Sequence, residues 1–443
     1  MEPETGWLPD LIYLDGELQS GVTMFVDAEG GIARFSREPG PAIRLAGRAM
    51  LPGLVNVHSH AFQRVIRGRS ERRTSQRDTF WTWRVAMYRA AMNISAEAMY
   101  HVARMAFLEM ALSGITTVGE FHYVHHDSNG APYQDRNAMA LAVVRAAREV
   151  GIGIVVLRTA YVRAGFGKPS DPGQARFITP RVEDFIADTE ELRKIVAVGV
   201  APHSVRAVPL DYLRGVARYA KSNHLPLHMH VAEQPAEVEA CVAEYGRRPV
   251  ELLHDEGMLD DRFTAIHAIH ITEEEARFLG NSTVCACPTS ERNLGDGAVP
   301  ADRLYAAGAR ICFGSDSNIQ IDLLEDARQL EYHLRMNRLE RTILPGGAPG
   351  LFQSATESGA HSLQAPGGKL AVGRAADFFT VDLDDVSIAG SPRDTLIDNI
   401  VFSLERTAIR DIAVNGNVIV QDGRHRLQEE ITREFAKVQN SLW

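Results

Sequence analysis

Residues 51–64, LPGLVNVHSHAFQR, contain an apolar run that ends in two histidines separated by one residue, His58 and His60. A short apolar run of this kind predicts a buried strand. Because residues i and i+2 of a strand project from the same face, both imidazoles can reach one ion. Metal binding is therefore the first hypothesis, although an isolated pair is more often two buried histidines that hydrogen-bond to backbone.

The composition favours a large globular protein that acts on a small solute. The 443 residues are 45% hydrophobic, so they can bury the core of two or three domains, or of one barrel with an accessory part. The net charge of -10 argues against nucleic acid or an anionic membrane as the main partner. The acidic N-terminal residues include neither a basic leader nor a long apolar stretch, so we expect neither export nor membrane insertion.

Cysteine usage predicts a protein of the reduced cytoplasm. The four cysteines, Cys241, Cys285, Cys287 and Cys312, form no CxxC motif, so a disulfide framework is not expected. Cys285 and Cys287 share one face of a predicted strand, where a small buried thiol is a commoner outcome than a sulfur metal site.

Eight apolar strand candidates follow one another along the chain, separated by amphipathic stretches that predict helices. Strands that alternate with helices are typical of parallel β/α construction, and eight strands close a TIM barrel. The candidates lie at residues 53–60, 116–121, 153–161, 196–204, 225–233, 263–271, 283–290 and 309–317.

The two ends of the chain have a different character from its middle. Both contain short alternating segments separated by glycine, including an Asn-Gly hairpin turn at residues 415–416, and a helix is predicted at the C-terminus. We therefore predict an α/β protein with a (β/α)8 barrel over residues 51–365. A small β-sandwich domain, built from residues 1–50 and 366–443, flanks it.

Polar residues follow the predicted barrel strands, whose carboxyl ends form the active face of such barrels. A mononuclear zinc site needs three or four nitrogen or oxygen ligands and room for water. Glu233 follows closely in HVAE and would face that water as a proton shuttle. The residues predicted to bind one Zn²⁺ per chain are His58, His60, His230 and Asp316.

The remaining histidines must be weighed separately, because the 16 histidines of the chain cannot all be ligands. In HAIH, His267 ends a predicted strand and His270 begins the loop, so His267 is preferred for the site. His228 would face inward one layer deeper and hydrogen-bond in the core. His125 and His126, in HYVHHD, are expected to lie in a solvated loop.

The motifs PGLVNVHSH, HMHVAE, AIHAIH and FGSDS, in this order, resemble those of the amidohydrolase superfamily. The resemblance covers essentially the whole chain, including the split sheet domain. In binuclear members, a carboxylated lysine at the end of strand four bridges two metals, whereas here that strand ends in Pro202 and His203. The resemblance therefore implies one metal ion, as in the deaminase branch.

Longer stretches resemble the formimidoylglutamate deiminase family within that superfamily: HSHAFQRVIRG, FWTWR, GEFHYVHHD, APHSVRAV, HVAEQ and GSDSNIQIDLLED. The resemblance implies hydrolysis of N-formimidoyl-L-glutamate to N-formyl-L-glutamate and ammonia in histidine degradation, by a homodimer. It implies that Glu233, His267 and Asp316 are catalytic. The substrate contacts that it implies are Gln63, Arg84, Tyr123, His203 and Arg206.

The residue types agree with this chemistry. Asp316 would accept a proton from the attacking water, Glu233 would deliver it to the amidine nitrogen, and His267 would stabilise the tetrahedral centre. The substrate has two carboxylates, and arginine is the usual partner of a carboxylate in a binding site. Arg84 and Arg206 are the arginines predicted to bind them.

Two other functions remain open. Another deaminase of this branch could act on a nucleobase or triazine, with Trp81 and Trp83 either stacked on the ring or packed in a helix. A metal-free barrel that acts as a binding or scaffold protein is the third possibility.

A basic run could steer an anionic substrate, form a solvated face or contact a subunit. Its members are Arg64, Arg67, Arg69, Arg72 and Arg73.

Overall fold

The structure, a computed structural model, describes residues 4–72 and 78–443. Within these ranges the strands are β1 (Thr5–Leu14), β2 (Glu17–Gln19), β3 (Thr23–Val26), β4 (Ile32–Ser36), β5 (Ile43–Pro52), β6 (Leu54–Ser59), β7 (Ile115–His122), β8 (Gly153–Ala160), β9 (Ala197–Pro202), β10 (Leu227–Val231), β11 (Phe263–His267), β12 (Thr283–Ala286), β13 (Arg310–Phe313), β14 (Phe378–Asp382), β15 (Ile409–Val414), β16 (Asn417–Gln421) and β17 (Arg424–His425).

The helices of the same ranges are α1 (Phe80–Asn93), α2 (Ala96–Ala111), α3 (Ala138–Val150), α4 (Val182–Arg193), α5 (Leu210–Ser222), α6 (Pro235–Tyr245), α7 (Pro249–Asp255), α8 (Glu273–Phe278), α9 (Pro288–Leu294), α10 (Ala301–Ala307), α11 (Leu323–Arg338), α12 (Gly347–Ala355), α13 (Glu357–Leu363), α14 (Leu396–Phe402) and α15 (Gln428–Leu442). Short 3₁₀ helices lie at Ala61–Ile66, Pro172–Gln174, Leu279–Asn281 and Arg406–Ala408. None of the helices described is both long enough and apolar enough to cross a membrane.

Strands β6 to β13 are parallel, and each pairs with the next along the chain. Backbone hydrogen bonds join the two ends of this sheet, because the Asp316 N–H donates to the His58 carbonyl and the His60 N–H donates to the Asp316 carbonyl, both at 2.9 Å. Every residue of β6 and β7 is buried, as expected for strands covered on both faces. The predicted eight-stranded barrel is confirmed.

The remaining nine strands form one mixed sheet, in the order β17-β16-β15-β14-β5-β1-β3-β4, with β2 paired to β1. Strand β5 joins the two ends of the chain, because it pairs in parallel with β1 and antiparallel with β14. Trp7, Met24 and Phe378 belong to a separate apolar core of this sheet. The prediction that both termini build one small β domain is confirmed, and the limits 1–50, 51–365 and 366–443 stay a proposal.

The prediction of a solvated loop for His125 and His126 is wrong. Their exposed fractions are only 1% and 4%. The loop folds back onto the barrel, where His125 Nε2 lies 2.8 Å from the Thr159 carbonyl oxygen and His126 Nε2 lies 2.8 Å from that of Ile178. Both imidazoles therefore satisfy buried backbone oxygens.

Breaking the buried ion pair beneath this loop is expected to destabilise the fold strongly. The fully buried guanidinium of Arg158 donates to Asp188 Oδ2 at 2.8 Å and to Asn137 Oδ1 at 2.9 Å. Asp188→Ala would leave Arg158 without a counter-charge, so we expect the free energy of unfolding to fall by about 3 to 5 kcal/mol. Urea unfolding measures the loss.

Asp184→Ala is the matched control for this variant. Asp184 lies on the same helix, but its carboxylate is exposed and 3.6 Å from the exposed Arg181. A surface pair contributes about 0 to 1 kcal/mol. Equal unfolding midpoints for the two variants would contradict a special role for the Arg158–Asp188 pair.

Candidate active site

Three histidines and one aspartate meet at the carboxyl ends of the barrel strands. His58 is near the end of β6 and His60 directly follows it, His230 is near the end of β10, and Asp316 follows β13. One ligand atom from each lies within 4.8 Å of the others, and all four side chains are buried. The Nε2 atoms of His58 and His60 lie 3.2 and 3.3 Å from Asp316 Oδ1, and His58 Nε2 lies 3.2 Å from His230 Nε2.

The arrangement of these donor atoms fits a divalent cation. His60 Nδ1 and His230 Nδ1 each lie 2.9 Å from a backbone carbonyl oxygen, so each Nδ1 carries a proton and each Nε2 presents a lone pair. His58 Nδ1 has no hydrogen-bond partner among the described residues, and its Nε2 lies 3.2 Å from His230 Nε2. The four donor atoms converge on one space, and three nitrogens with one oxygen suit zinc.

Backbone strain occurs at two of the site residues. Asp316 has a φ of 45° and His267 has a φ of 71°, in the left-handed region that residues with a Cβ rarely adopt. Such conformations cost of order 1 to 3 kcal/mol and persist where the surrounding structure holds them. At Asp316, the hydrogen bonds that close the barrel hold the backbone and aim the carboxylate at the histidines.

Glu233, His267 and Glu291 form a buried chain beside this group. Glu233 Oε1 lies 3.8 Å from His267 Nε2, and His267 Nδ1 lies 3.1 Å from Glu291 Oε1. The same Glu291 oxygen accepts the Cys287 N–H at 2.8 Å, so its position is fixed. Glu291 thereby orients the imidazole of His267. Glu291 was not predicted from the sequence. Its only sequence signal is its place four residues after Cys287, which follows the seventh barrel strand.

Burial and neighbouring charges shift the pKa values of His267 and Glu233 in opposite directions. Burial disfavours the imidazolium of His267, but the hydrogen bond that its Nδ1–H donates to Glu291 and the charge of Glu233 raise its pKa well above the ordinary value. Burial raises the pKa of Glu233, against the charges of His267 and Arg206. Buried groups with perturbed pKa values are typical of functional sites.

The three histidines and the aspartate with converging donor atoms form the metal-binding group. A cavity opens directly onto it, since His60, His230, Asp316 and Glu233 are among the residues that line the cavity. Inside it, the Gln63 side-chain N–H donates to the Tyr123 hydroxyl at 2.8 Å. All five predicted substrate contacts line this same cavity: Gln63, Arg84, Tyr123, His203 and Arg206. The structure therefore brings them together with the metal group, and their roles stay predictions.

The two arginines of the cavity have unused donors. Arg206 is 5% exposed, and its Nε and Nη1 have no hydrogen-bond partner among the described residues. Arg84 Nη1 is also buried without a described partner. The guanidinium carbons of Arg84 and Arg206 lie 4.8 and 5.6 Å from the centre of the Trp81 ring. Trp83 lines the cavity. Buried cationic donors without acceptors are costly, so the cavity is suited to an anionic ligand.

The other histidines lie outside the metal-binding group. His228 is fully buried, and its Nε2 lies 3.0 Å from the Ser362 carbonyl oxygen, as expected for a core histidine. His270 Nε2 lies 2.9 Å from the Asp296 carbonyl oxygen. His267, by contrast, lies between Glu233 and Glu291, and its role in the site stays a prediction.

Part of the basic run pairs within the protein. Arg64 and Arg67 bind the Glu109 carboxylate at 2.7 and 2.8 Å. The Arg69 guanidinium lies 4.3 Å from the centre of the Trp443 ring. Arg72 is exposed, and Arg73 lies outside the described residues. Arg64 and Arg67 thus anchor the segment that follows the first barrel strand.

Comparisons with known proteins agree with this fold and site. The model of the amidohydrolase family matches residues 49–419. The chain is 38% identical over 432 residues to formimidoylglutamate deiminase from Pseudomonas aeruginosa, covering 94% of this chain and 95% of the relative. It is 27% identical to a 5-methylthioadenosine/S-adenosylhomocysteine deaminase from Natronomonas pharaonis, over 85% and 82% of the two chains.

A solved structure shows the same architecture. The crystal structure of an amidohydrolase from Brucella melitensis superposes with a TM-score of 0.90, at 34% identity, over 99% of both chains. The superposition extends over the barrel and the small domain, and the family match covers the barrel and the C-terminal part of the small domain as far as residue 419. The chain therefore belongs to the amidohydrolase family and is an enzyme that hydrolyses a C–N bond.

Proposed function

We propose that this enzyme hydrolyses the amidine of N-formimidoyl-L-glutamate to N-formyl-L-glutamate and ammonia, as a step of histidine degradation. The observation that carries the proposal is the pair of guanidiniums, Arg84 and Arg206, in a cavity that opens onto the metal-binding group; both have buried donors with no partner among the described residues. Two arginines match the two carboxylates of this substrate. The named activity of the 38% identical relative supports the same substrate.

We further propose one Zn²⁺ per chain as the cofactor. His58, His60, His230 and Asp316 would hold it, because their donor atoms converge and are buried. When bound, the cation supplies the Lewis acidity that makes water nucleophilic near neutral pH. The resemblance of the chain also leads us to propose a cytoplasmic homodimer.

The residues of the site account for the proton transfers of a hydrolytic deamination. Water adds to the amidine carbon and loses a proton to the Asp316 carboxylate. Glu233 delivers this proton from Asp316 to the amidine nitrogen. The hydroxyl proton of the tetrahedral centre follows by the same route as the C–N bond breaks, and ammonia departs to leave a formyl group with both carboxylates as they began. His267, oriented by Glu291, donates to the tetrahedral centre from the side facing Glu233.

The predicted substrate contacts that line the cavity would orient the substrate. Each guanidinium would bind one carboxylate, and the Gln63–Tyr123 pair and His203 would fix the chain between them. The amidine carbon is then held beside Glu233 and Asp316.

The test of this proposal is kcat/KM for N-formimidoyl-L-glutamate, for its carboxamide analogues that lack one carboxylate, and for guanine and cytosine. Arg84→Met and Arg206→Met should each reduce transition-state stabilisation by about 2 to 5 kcal/mol, because one desolvated carboxylate loses its partner. Turnover of the nucleobases should be negligible in the parent enzyme.

Arg181→Met is the control, because Arg181 is exposed and binds only surface carboxylates. If the carboxamide analogues have the same kcat/KM as the diacid, the dicarboxylate assignment fails. It also fails if neither cavity variant lowers kcat/KM by about tenfold, or about 1.4 kcal/mol. A ring deaminase would then be the better account of the cavity.

A further inference from the structure

Two tyrosines in the cavity share one amide donor. The Gln174 side-chain nitrogen donates to the Tyr88 hydroxyl oxygen at 2.7 Å and to the Tyr161 hydroxyl oxygen at 2.9 Å. Gln174 is fully buried, and its Oε1 accepts the Asp171 N–H at 3.1 Å. The amide is therefore held with its nitrogen toward the phenols, and both of its protons are used.

This arrangement leaves phenol protons without an acceptor. Each phenol oxygen accepts from Gln174, so its own proton must point elsewhere. No acceptor for either proton is found among the described hydrogen bonds of Tyr88 and Tyr161. If one phenol donates to the other, one proton still remains. Burial also raises the pKa of Tyr88, which keeps that phenol protonated as a donor.

Both tyrosines line the same cavity as the two guanidiniums. The Arg84 guanidinium lies 5.2 Å from the Tyr88 ring centre, and the Tyr161 ring lies 4.6 Å from that of His203. Phe177 packs against both tyrosines, with ring centres 5.9 and 5.7 Å away. Arginine and phenol donors that converge on one space suit a carboxylate.

We propose that Tyr88 and Tyr161 are specificity-determining residues that donate hydrogen bonds to one substrate carboxylate, and that Gln174 is the positioning residue that turns both phenol protons toward it. This inference rests on the proposed function and extends it. Gln174 lies on the loop between β8 and α4, whereas Tyr88 lies on α1. The loop thus couples carboxylate recognition to the placement of the helix that carries Arg84.

The experiment compares the parent enzyme with Tyr88→Phe, Tyr161→Phe and Gln174→Glu. Binding of N-formyl-L-glutamate is measured by titration calorimetry, and KM and kcat are measured for the diacid substrate. We expect each tyrosine variant to raise Kd and KM by at least about tenfold, because a charged hydrogen bond is lost, while kcat stays within about threefold. Glu at position 174 keeps the acceptor for Asp171 but also accepts both phenol protons, so it should weaken binding similarly.

The two carboxamide analogues identify the carboxylate concerned. For the analogue that lacks the bound carboxylate, the same variants should change kcat/KM by only about threefold, because that interaction is already absent. Tyr305→Phe is the control: its hydroxyl bonds Ser354 outside the cavity, and the variant should behave as the parent.

Equal losses on the diacid and on both analogues would show a merely structural role and overturn the inference. Unchanged Kd and KM in both tyrosine variants would overturn it as well. If the parent does not turn over N-formimidoyl-L-glutamate, the proposed function fails, and calorimetry still tests the tyrosines. If the parent then does not bind N-formyl-L-glutamate either, the inference fails with it.

Discussion

Glu233→Gln is expected to keep its metal and to lose at least about a hundredfold in kcat. The side-chain amide preserves the shape of the carboxylate but cannot carry a proton from water to the leaving nitrogen. Glu233 is not in the group of four converging donor atoms, so metal content should match that of the parent. Steady-state ammonia release at saturating substrate, with elemental analysis of the same sample, measures both quantities.

The control for this variant is Glu239→Gln, which makes the same change on the exposed side of α6. It should retain parental turnover and metal. Near-normal turnover of Glu233→Gln at full metal content would remove Glu233 from the mechanism. Loss of the metal in that variant would instead make Glu233 part of the metal-binding group.

His230→Ala is expected to lose both metal and activity, with metal affinity reduced by more than about a hundredfold. The His230 Nε2 atom is one of four converging donors, and three donors bind a cation much less tightly. Elemental analysis of protein purified without added metal should find one zinc ion per parent chain. Two ions per chain would contradict a mononuclear site.

His228→Ala is the matched control, two residues earlier on the same strand. Its imidazole bonds the Ser362 carbonyl oxygen and not the metal group. We expect the metal to remain and the free energy of unfolding to fall by about 1 to 3 kcal/mol, because a buried acceptor loses its partner. Equal metal loss in the two variants would show that His230 has no special part in binding.

The barrel and its metal-binding group could be predicted because their patterns are local. A run of apolar residues alternating with helices identifies parallel strands, and His58 and His60 share a strand face through their i, i+2 spacing. Since all parallel strands of a barrel end on one face, His230 and Asp316 could be assigned to the same site without knowledge of the packing.

The burial of His125 and His126 shows where local pattern fails. Three histidines and an aspartate within six residues are typical of a solvated loop, but here Thr159 and Ile178 present backbone oxygens that the imidazoles satisfy. Those oxygens belong to segments more than 30 residues away along the chain. Because these partners are distant along the chain, the sequence of the loop shows no periodic pattern that would predict the burial of the two imidazoles.

The sequence by itself determined the barrel, the small β domain made from both termini, and the donor atoms that converge at the strand ends. Only the tertiary structure showed that Glu291 orients His267 and that Gln174 turns Tyr88 and Tyr161 toward the cavity. Strand spacing follows from backbone geometry, which repeats every two residues. A hydrogen bond between segments depends on how loops and helices pack, and that packing has no fixed period along the chain.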